Sequence, residues 1–351
     1  MTGTCTGMCP KSEISTREKE GLLHKFEMVK GTENQKRPKA DPNKIIKCYM
    51  RSAAGQTVNN PSDVRPFPIL VKTINYLFQE IFPMHQQKPI MVYNFMFDRL
   101  RSIRQDMVVQ NLNPGQCIVI LEPVVKFHTY FGYLLLNEDL NDYDPHINNT
   151  HLHECLKRLL YCYDEISNVK IDVYDLNRKE ILKNRCEMES IYILLNLGDF
   201  FAISRGVNLN ISDEMKILKN SLILSISWCL KNYARVFSCI KKLPALMLCV
   251  IAGHIPRIRR HALLAMSTAY SINNCEYPVS QIKDLLLYDN DSEVIEDCKY
   301  FSIKVNGSHV NFNKKNFNSS VQERKPRKLN FIDFKLANFN LGDISIQNGQ
   351  S

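Results

Sequence analysis

Tyr93–Gln110 reads YNFMFDRLRSIRQDMVVQ. At 3.6 residues per turn, Tyr93, Met96, Phe97, Leu100, Ile103 and Met107 share one face, which predicts a helix packed into a core. Asp98, Ser102 and Gln105 fall on the other side. Arg104 lies on the flank of the apolar stripe, with Arg101 one turn earlier at its edge. A guanidinium at a half-buried position needs a carboxylate or several carbonyls around it. The stretch therefore predicts a core helix that also carries fixed charge into a junction, with Arg104 paired inside the fold.

Working outward, the 351 residues suffice for two packed units or one elongated one. No apolar run approaches the roughly 18 residues that a membrane span needs, and the nearest, Leu243–Ile255, holds Pro244, Gly253 and His254. The first residues are polar, with no apolar core of a signal peptide. The 12 cysteines show no disulfide framework, and Cys155, Cys229, Cys239 and Cys249 sit inside apolar helical patterns, where a thiol acts as a small hydrophobe. That usage fits a reducing, intracellular setting. Cys5 and Cys9 have no second ligand pair nearby, so no metal is expected.

The net charge of +9 is uneven. Residues 1–51 hold 11 Lys/Arg against 6 Asp/Glu, and residues 314–328 hold 6 against one. A basic periphery on a near-neutral body points to an anionic partner or to solvated surface charge.

Helical spacing recurs along the chain. It predicts helices over Glu13–Val29, Lys44–Ala54 (stopped by Gly55), Ile69–Phe82, Cys117–Leu136 with a kink at Pro123, Thr150–Ile171, Asn177–Leu197, Asp213–Asn232 and Lys242–Gly253. Strand-like alternation is nearly absent up to residue 255, so the expected class is all-α, a helical-repeat or α-solenoid body. Three shorter helices follow, Arg257–Tyr270, Pro278–Tyr288 and Asp291–Tyr300, the last capped by Asp291 or Ser292. Ser302–Val305 and His309–Phe312 then alternate around Asn306-Gly307, a hairpin signal. Three helices and a small β-hairpin predict a C-terminal winged helix. The expected domains are 1–42 (N-terminal motif, helix and basic linker), 43–255 (helical body), 256–315 (winged helix) and 316–351 (a basic, flexible tail).

Phosphate-binding glycine loops, H-E-x-x-H and G-x-S-x-G are all missing, and the nine histidines are dispersed. No enzyme, cofactor or small-molecule substrate is expected. The third winged-helix helix carries Asp291, Glu293, Glu296 and Asp297 against Lys299, which repels a phosphate backbone. Lys304, Lys314 and Lys315 flank the hairpin, and Arg324, Lys325, Arg327 and Lys328 form the cluster RKPRK. These seven are the candidate nucleic-acid contacts, electrostatic rather than base-reading. Arg257, Arg259 and Arg260 are candidate partner contacts.

Three ordered stretches together resemble the Sac-three/GANP family: GTCTGMCP at Gly3–Pro10 with Phe26-Glu27 after it, CYMRSAAGQTVNNPSDVRP at residues 48–66, and the FDRLRSIRQD helix. On this resemblance Cys9, Pro10, Tyr49, Arg51, Ser52, Ala53, Gly55, Asp63, Arg65, Pro66, Asp98, Arg99, Arg101, Arg104, Gln105 and Asp106 are structural motif residues. The resemblance implies a PCI-like architecture and a non-catalytic scaffold. It implies a PCI-type subunit and a small acidic peptide subunit as partners, with RNA as a further one and no membrane. The chain looks most like the short, centrosomal branch of that family, linked to centrosome duplication, spindle assembly and mitotic progression in the cytoplasm and cytoskeleton. The alternative is an mRNA-export adaptor of TREX-two type at the nucleus and nuclear pore.

Overall fold

The structure, a computed structural model, describes residues 1–51, 60–168, 182–209, 215–272 and 275–339. The described residues divide into two compact units, one within residues 1–128 and 141–183, the other within residues 129–140 and 184–339. The described residues are mainly helical, with one three-stranded antiparallel sheet.

The first unit is built around α3 (Pro89–Val109), the helix of the opening stretch. Met96, Leu100 and Ile103 are fully buried on it, as the periodicity required, and so is Val92, which the reading did not place on that face. Around it lie α1 (Lys11–Glu20), α2 (Phe67–Tyr76), the first part of α4 (Pro114–Leu134) and α5 (Pro145–Asn168). Pro123 sits inside α4, which continues through it.

Two local expectations fail here. The helix expected over Glu13–Val29 ends at Glu20, because Gly21 takes the left-handed conformation (φ 69°) that closes a helix C-terminus. A separate short 3-10 turn, Lys25–Glu27, follows. The helix expected over Lys44–Ala54 does not form in its described part, which is a turn and then extended chain. Its amides go elsewhere: Ile46 N–H to Glu27 Oε1 (3.0 Å), Lys47 N–H to Met8 O (3.0 Å), Cys48 N–H to Glu13 Oε1 (2.8 Å) and Tyr49 N–H to Asp98 Oδ2 (3.2 Å). Distant carboxylates outcompete the i−4 carbonyls for those donors. Ala54 and Gly55 lie outside the described residues, as do the ends 169–171, 177–181 and 213–214 of three further expected helices. Past α2 the chain tightens irregularly through a π turn at Leu77–Ile81 and a 3-10 turn at Phe82–Gln86, where Pro83 removes an amide donor.

The second unit starts with α6 (Arg185–Leu195), α7 (Phe200–Asn208), α8 (Lys216–Cys229), α9 (Tyr233–Lys241) and α10 (Ala245–Ala252). The sequence reading missed α7 and α9. Both carry an ordinary N-cap: Asp199 accepts from Ala202 N–H and Asn232 from Arg235 N–H. Then come α11 (Ile255–Ala269), α12 (Val279–Leu286) and α13 (Asp291–Tyr300). The bounds of α13 match the expectation, but its cap is Asn290, which accepts from Glu293 N–H at 2.9 Å. The hairpin is β2 (Lys304–Asn306) and β3 (His309–Asn311), turning at Gly307 (φ 58°). An unanticipated strand, β1 (Tyr277–Pro278), pairs with β3, giving the order β1-β3-β2.

Part of the stretch expected as a flexible tail is built into this unit. Helix α14 (Asn330–Leu336) buries Ile332, and Leu329 just before it is also buried. The Tyr133 hydroxyl donates to Asp333 Oδ1 (2.8 Å) and accepts from Leu329 N–H (2.9 Å). The physical reason is the apolar content of residues 329–339, which has a core to join. Residues 340–351 lie outside the described set.

Candidate functional site

The motif residues converge on two buried ionic centres in the first unit. In one, Asp106 of α3 is 1% exposed and holds two cations: Lys47 Nζ at 2.7 Å and Arg65 Nε at 2.7 Å. Arg65, fully buried, also donates to Ser102 Oγ (2.7 Å) and Met8 O (3.3 Å), while Lys47 Nζ donates to Asp63 O (2.6 Å). Gln110 completes the centre, donating to Arg65 O and Asp106 O and accepting from Gly3 N–H. A Cβ at Gly3 would stand 2.3 Å from Val64 O, so only glycine lets the N-terminal segment lie this close.

In the other centre, Glu27 is fully buried between Arg17 and Arg99. Its oxygens accept from Arg99 Nη2 at 3.0 and 3.1 Å. Burial, the largest single influence, lowers the pKa of each arginine, but the charge and hydrogen bonds of Glu27 together with the nearby Cys48 exceed it in sum and both are raised. Burying a charge is tolerable only when it is paired and its remaining donors are satisfied. Every charge in these two centres is paired, although Arg17 Nε is buried without a hydrogen-bond partner, and the centres join segments 8, 27, 47, 65, 99 and 106 of the sequence. Their chemistry is positional: each carboxylate is saturated by cations and holds a chain crossing in place.

The other motif residues are simpler. Pro10 and Pro66 precede α1 and α2, Cys9 is buried and its thiol pKa raised by that burial, and Gln105 donates to Met50 O at 2.9 Å. Asp98 pairs with Arg99. Arg101 lies 3.8 Å over the Tyr49 ring, and Arg51 is exposed. Arg104 is paired inside the fold, with His151 Nδ1 at 3.1 Å and Glu154 at 3.2 Å. Ser52, Ala53 and Gly55 lie outside the described residues.

The second unit has a cleft of about 670 Å3, lined by Arg259, Asp297, Tyr300, Arg324, Lys325 and Arg327 among others. Here the basic cluster meets the acidic helix. Arg324 pairs with Asp297 (2.9 Å) and Glu296 (3.7 Å), and Arg327 with Glu293 (2.8 Å). Two of the seven candidate nucleic-acid residues are thus already neutralised within the chain. Lys328 donates through its backbone to Asn137. Lys304, Lys314, Lys315 and Lys325 are exposed.

The three candidate partner arginines separate. Arg259 is 4% exposed, donates to Leu286 O and Leu287 O, and lies 3.8 Å over the Tyr288 ring. It seals α11 onto α12 and is not available to a partner. Arg260 donates to Ser319 O and Val321 O, and only Arg257, 5.2 Å from the Trp228 ring, is exposed.

The sequence profile of the SAC3/GANP family matches residues 8–307. The chain belongs to the SAC3/GANP family. Among its relatives, SAC3 family protein 1 of Schizosaccharomyces pombe is 26% identical over 97% of this chain and 34% of its own length. SAC3 family protein B of Arabidopsis thaliana is 26% identical over 86% of the chain and 18% of its own length. Protein xmas of Drosophila melanogaster is 23% identical over 95% of the chain and 16% of its own length. The chain thus spans about a third or less of these relatives. Membership of the SAC3/GANP family supports a scaffold role.

Ser102, expected on the outer side of α3, is instead fully buried because it accepts from Arg65, and Lys47, Arg17 and Gln110 belong to the two ionic centres without having been singled out in the sequence. No local signal marks Lys47, whose partner is 59 residues away; Arg17 has Glu13 four residues before it, but its buried partner Glu27 is 10 residues on. Among the described residues no three His, Cys, Asp or Glu side chains are grouped to hold a metal ion. Among them, too, no helix is long and apolar enough to cross a membrane.

Proposed function

We propose that this chain is a non-catalytic scaffold with a helical-repeat, PCI-like body and a winged-helix module, and that it docks a PCI-type subunit through residues 255–311. The observation that carries the reading is the module itself. Helices α11–α13 are followed by the hairpin β2–β3, which β1, lying between α11 and α12, extends to the sheet β1-β3-β2, and Arg259 ties α11 to the end of α12 from inside. A platform locked in this way presents β2 as an outer strand, with Lys304 and Asn306 exposed, at little entropic cost to a partner. Co-purification with a PCI-type subunit, lost on replacing surface residues of β2 and the adjoining Lys314, supports the reading. Retention of the subunit after those replacements opposes it.

For the cellular setting the proposal is centrosome duplication and spindle assembly, as the family resemblance implies. An mRNA-export role of TREX-two type is the second reading. It gains from Lys304, Lys314 and Lys315, three exposed cations near the hairpin with no carboxylate partner among the described residues. RNA affinity that falls as salt rises, and falls further on charge reversal of those lysines, favours it, because phosphate contacts release counterions. Proximity labelling in dividing and interphase cells separates spindle from nuclear-pore neighbours.

A further inference from the structure

The cluster Arg324–Lys328 is drawn across α13 as a strap. Upstream it is pinned by Arg260, which donates to Ser319 O (2.7 Å) and Val321 O (3.1 Å). Downstream it is pinned by buried Leu329 and by Asn330 N–H, which donates to Asp289. Between the pins, Arg324 pairs with Asp297 and Glu296 and lies 4.8 Å over the Tyr300 ring, and Arg327 pairs with Glu293. The carboxylates of α13 thus stand where a row of phosphates would stand on a basic peptide.

We propose that α13 is an intramolecular phosphate mimic that masks a polyanion-binding strap, so that single-stranded RNA must displace α13 to reach Arg324 and Arg327. The mask is weak enough to open. Arg324 and Arg327 keep 35% and 38% of their side-chain surface, so each guanidinium can be approached from solvent, while Asp297 and Glu293 keep only 10% and 16%. It holds because both ends of the strap are fixed, which keeps the local concentration of carboxylate high around each guanidinium. RNA gains by counterion release what it gives up in breaking the pairs, so the balance turns with ionic strength. Lys325 is exposed beside the masked arginines and offers a first contact.

The inference rests on the RNA reading above and adds regulation to it. The test uses the full chain and a dye-labelled 20-mer of polyuridine. Glu293→Gln with Glu296→Gln removes two of the mimicking charges and keeps one of the two oxygens with which Glu293 accepts from Asp289 N–H and Asn290 Nδ2. Affinity should rise about fivefold, and the log–log salt slope should steepen by about one, as Arg327 loses its carboxylate while Arg324 keeps Asp297. Arg324→Ala with Arg327→Ala should abolish that gain while leaving the parent affinity within about twofold. Unchanged affinity in the Glu pair overturns the mask. So does an equal loss when the arginines are removed from the parent chain, since they would then be free already. If charge reversal at Lys304, Lys314 and Lys315 abolishes binding while the Glu pair changes nothing, RNA binding stands and the mask alone falls. If neither the parent nor the Glu pair binds RNA, both fall.

Discussion

The two units use the same ion pair in opposite ways. In the first, Asp106 with Lys47 and Arg65, and Glu27 with Arg17 and Arg99, are withdrawn almost wholly from water. In the second, the Arg324 and Arg327 side chains keep 35% and 38% of their surface, although their partners Asp297 and Glu293 keep only 10% and 16%. Buried pairs gain little net stability over an apolar replacement, but a missing partner leaves a charge that nothing solvates. Wet pairs are released cheaply. The first arrangement therefore fixes chain crossings, and the second suits an exchange of partners.

The sharpest way to break this contrast is Asp106→Ala. It strands Lys47 and Arg65 together, and we expect a loss of about 3–5 kcal/mol in denaturant unfolding. A loss under ~1 kcal/mol would mean that water reaches the centre and that the two units do not differ.

The next effect is a dependence on pH. Burial holds His128 neutral, its pKa pushed down to about 3, and its ring lies 2.8 Å from Asn148 Oδ1. The folded pKa lies below the unfolded one, so the stability this group provides is present above pH ~6.5 and drains as pH falls toward ~3. Across that window it adds up to ~1.4 kcal/mol per pH unit to the slope of unfolding free energy. His128→Gln should flatten the slope, and an unchanged slope would assign the acid sensitivity to other groups.

Smaller is the effect of Tyr133→Phe, which deletes the hydroxyl between Asp333 and Leu329 N–H. We expect ~1–2 kcal/mol, with faster hydrogen exchange confined to α14. Smallest are Arg324→Ala and Arg327→Ala, at most ~1 kcal/mol each and reduced further by salt. A larger loss at either position would make the strap a structural lock rather than a removable cover.

Much of the helical fold was legible. Residues on α3 and α13 follow a spacing that depends only on neighbours within a turn or two, and so does the turn at Gly307. The misses are equally physical. Lys44–Met50 has a helical pattern, yet its amides face Glu13, Glu27 and Asp98. Arg259 looked like a surface cation because its sequence neighbours are basic, but Tyr288 and two backbone carbonyls enclose it.

The sequence by itself determined the helical class, the family signature and the charge imbalance, since period, motif and composition are local quantities. Only the tertiary structure decided which charges cancel. Asp106 finds Lys47 at a separation of 59 residues, and Glu296 finds Arg324 at 28. A Coulomb partner is set by distance in space, and no spacing along the chain encodes that distance until the helices have packed.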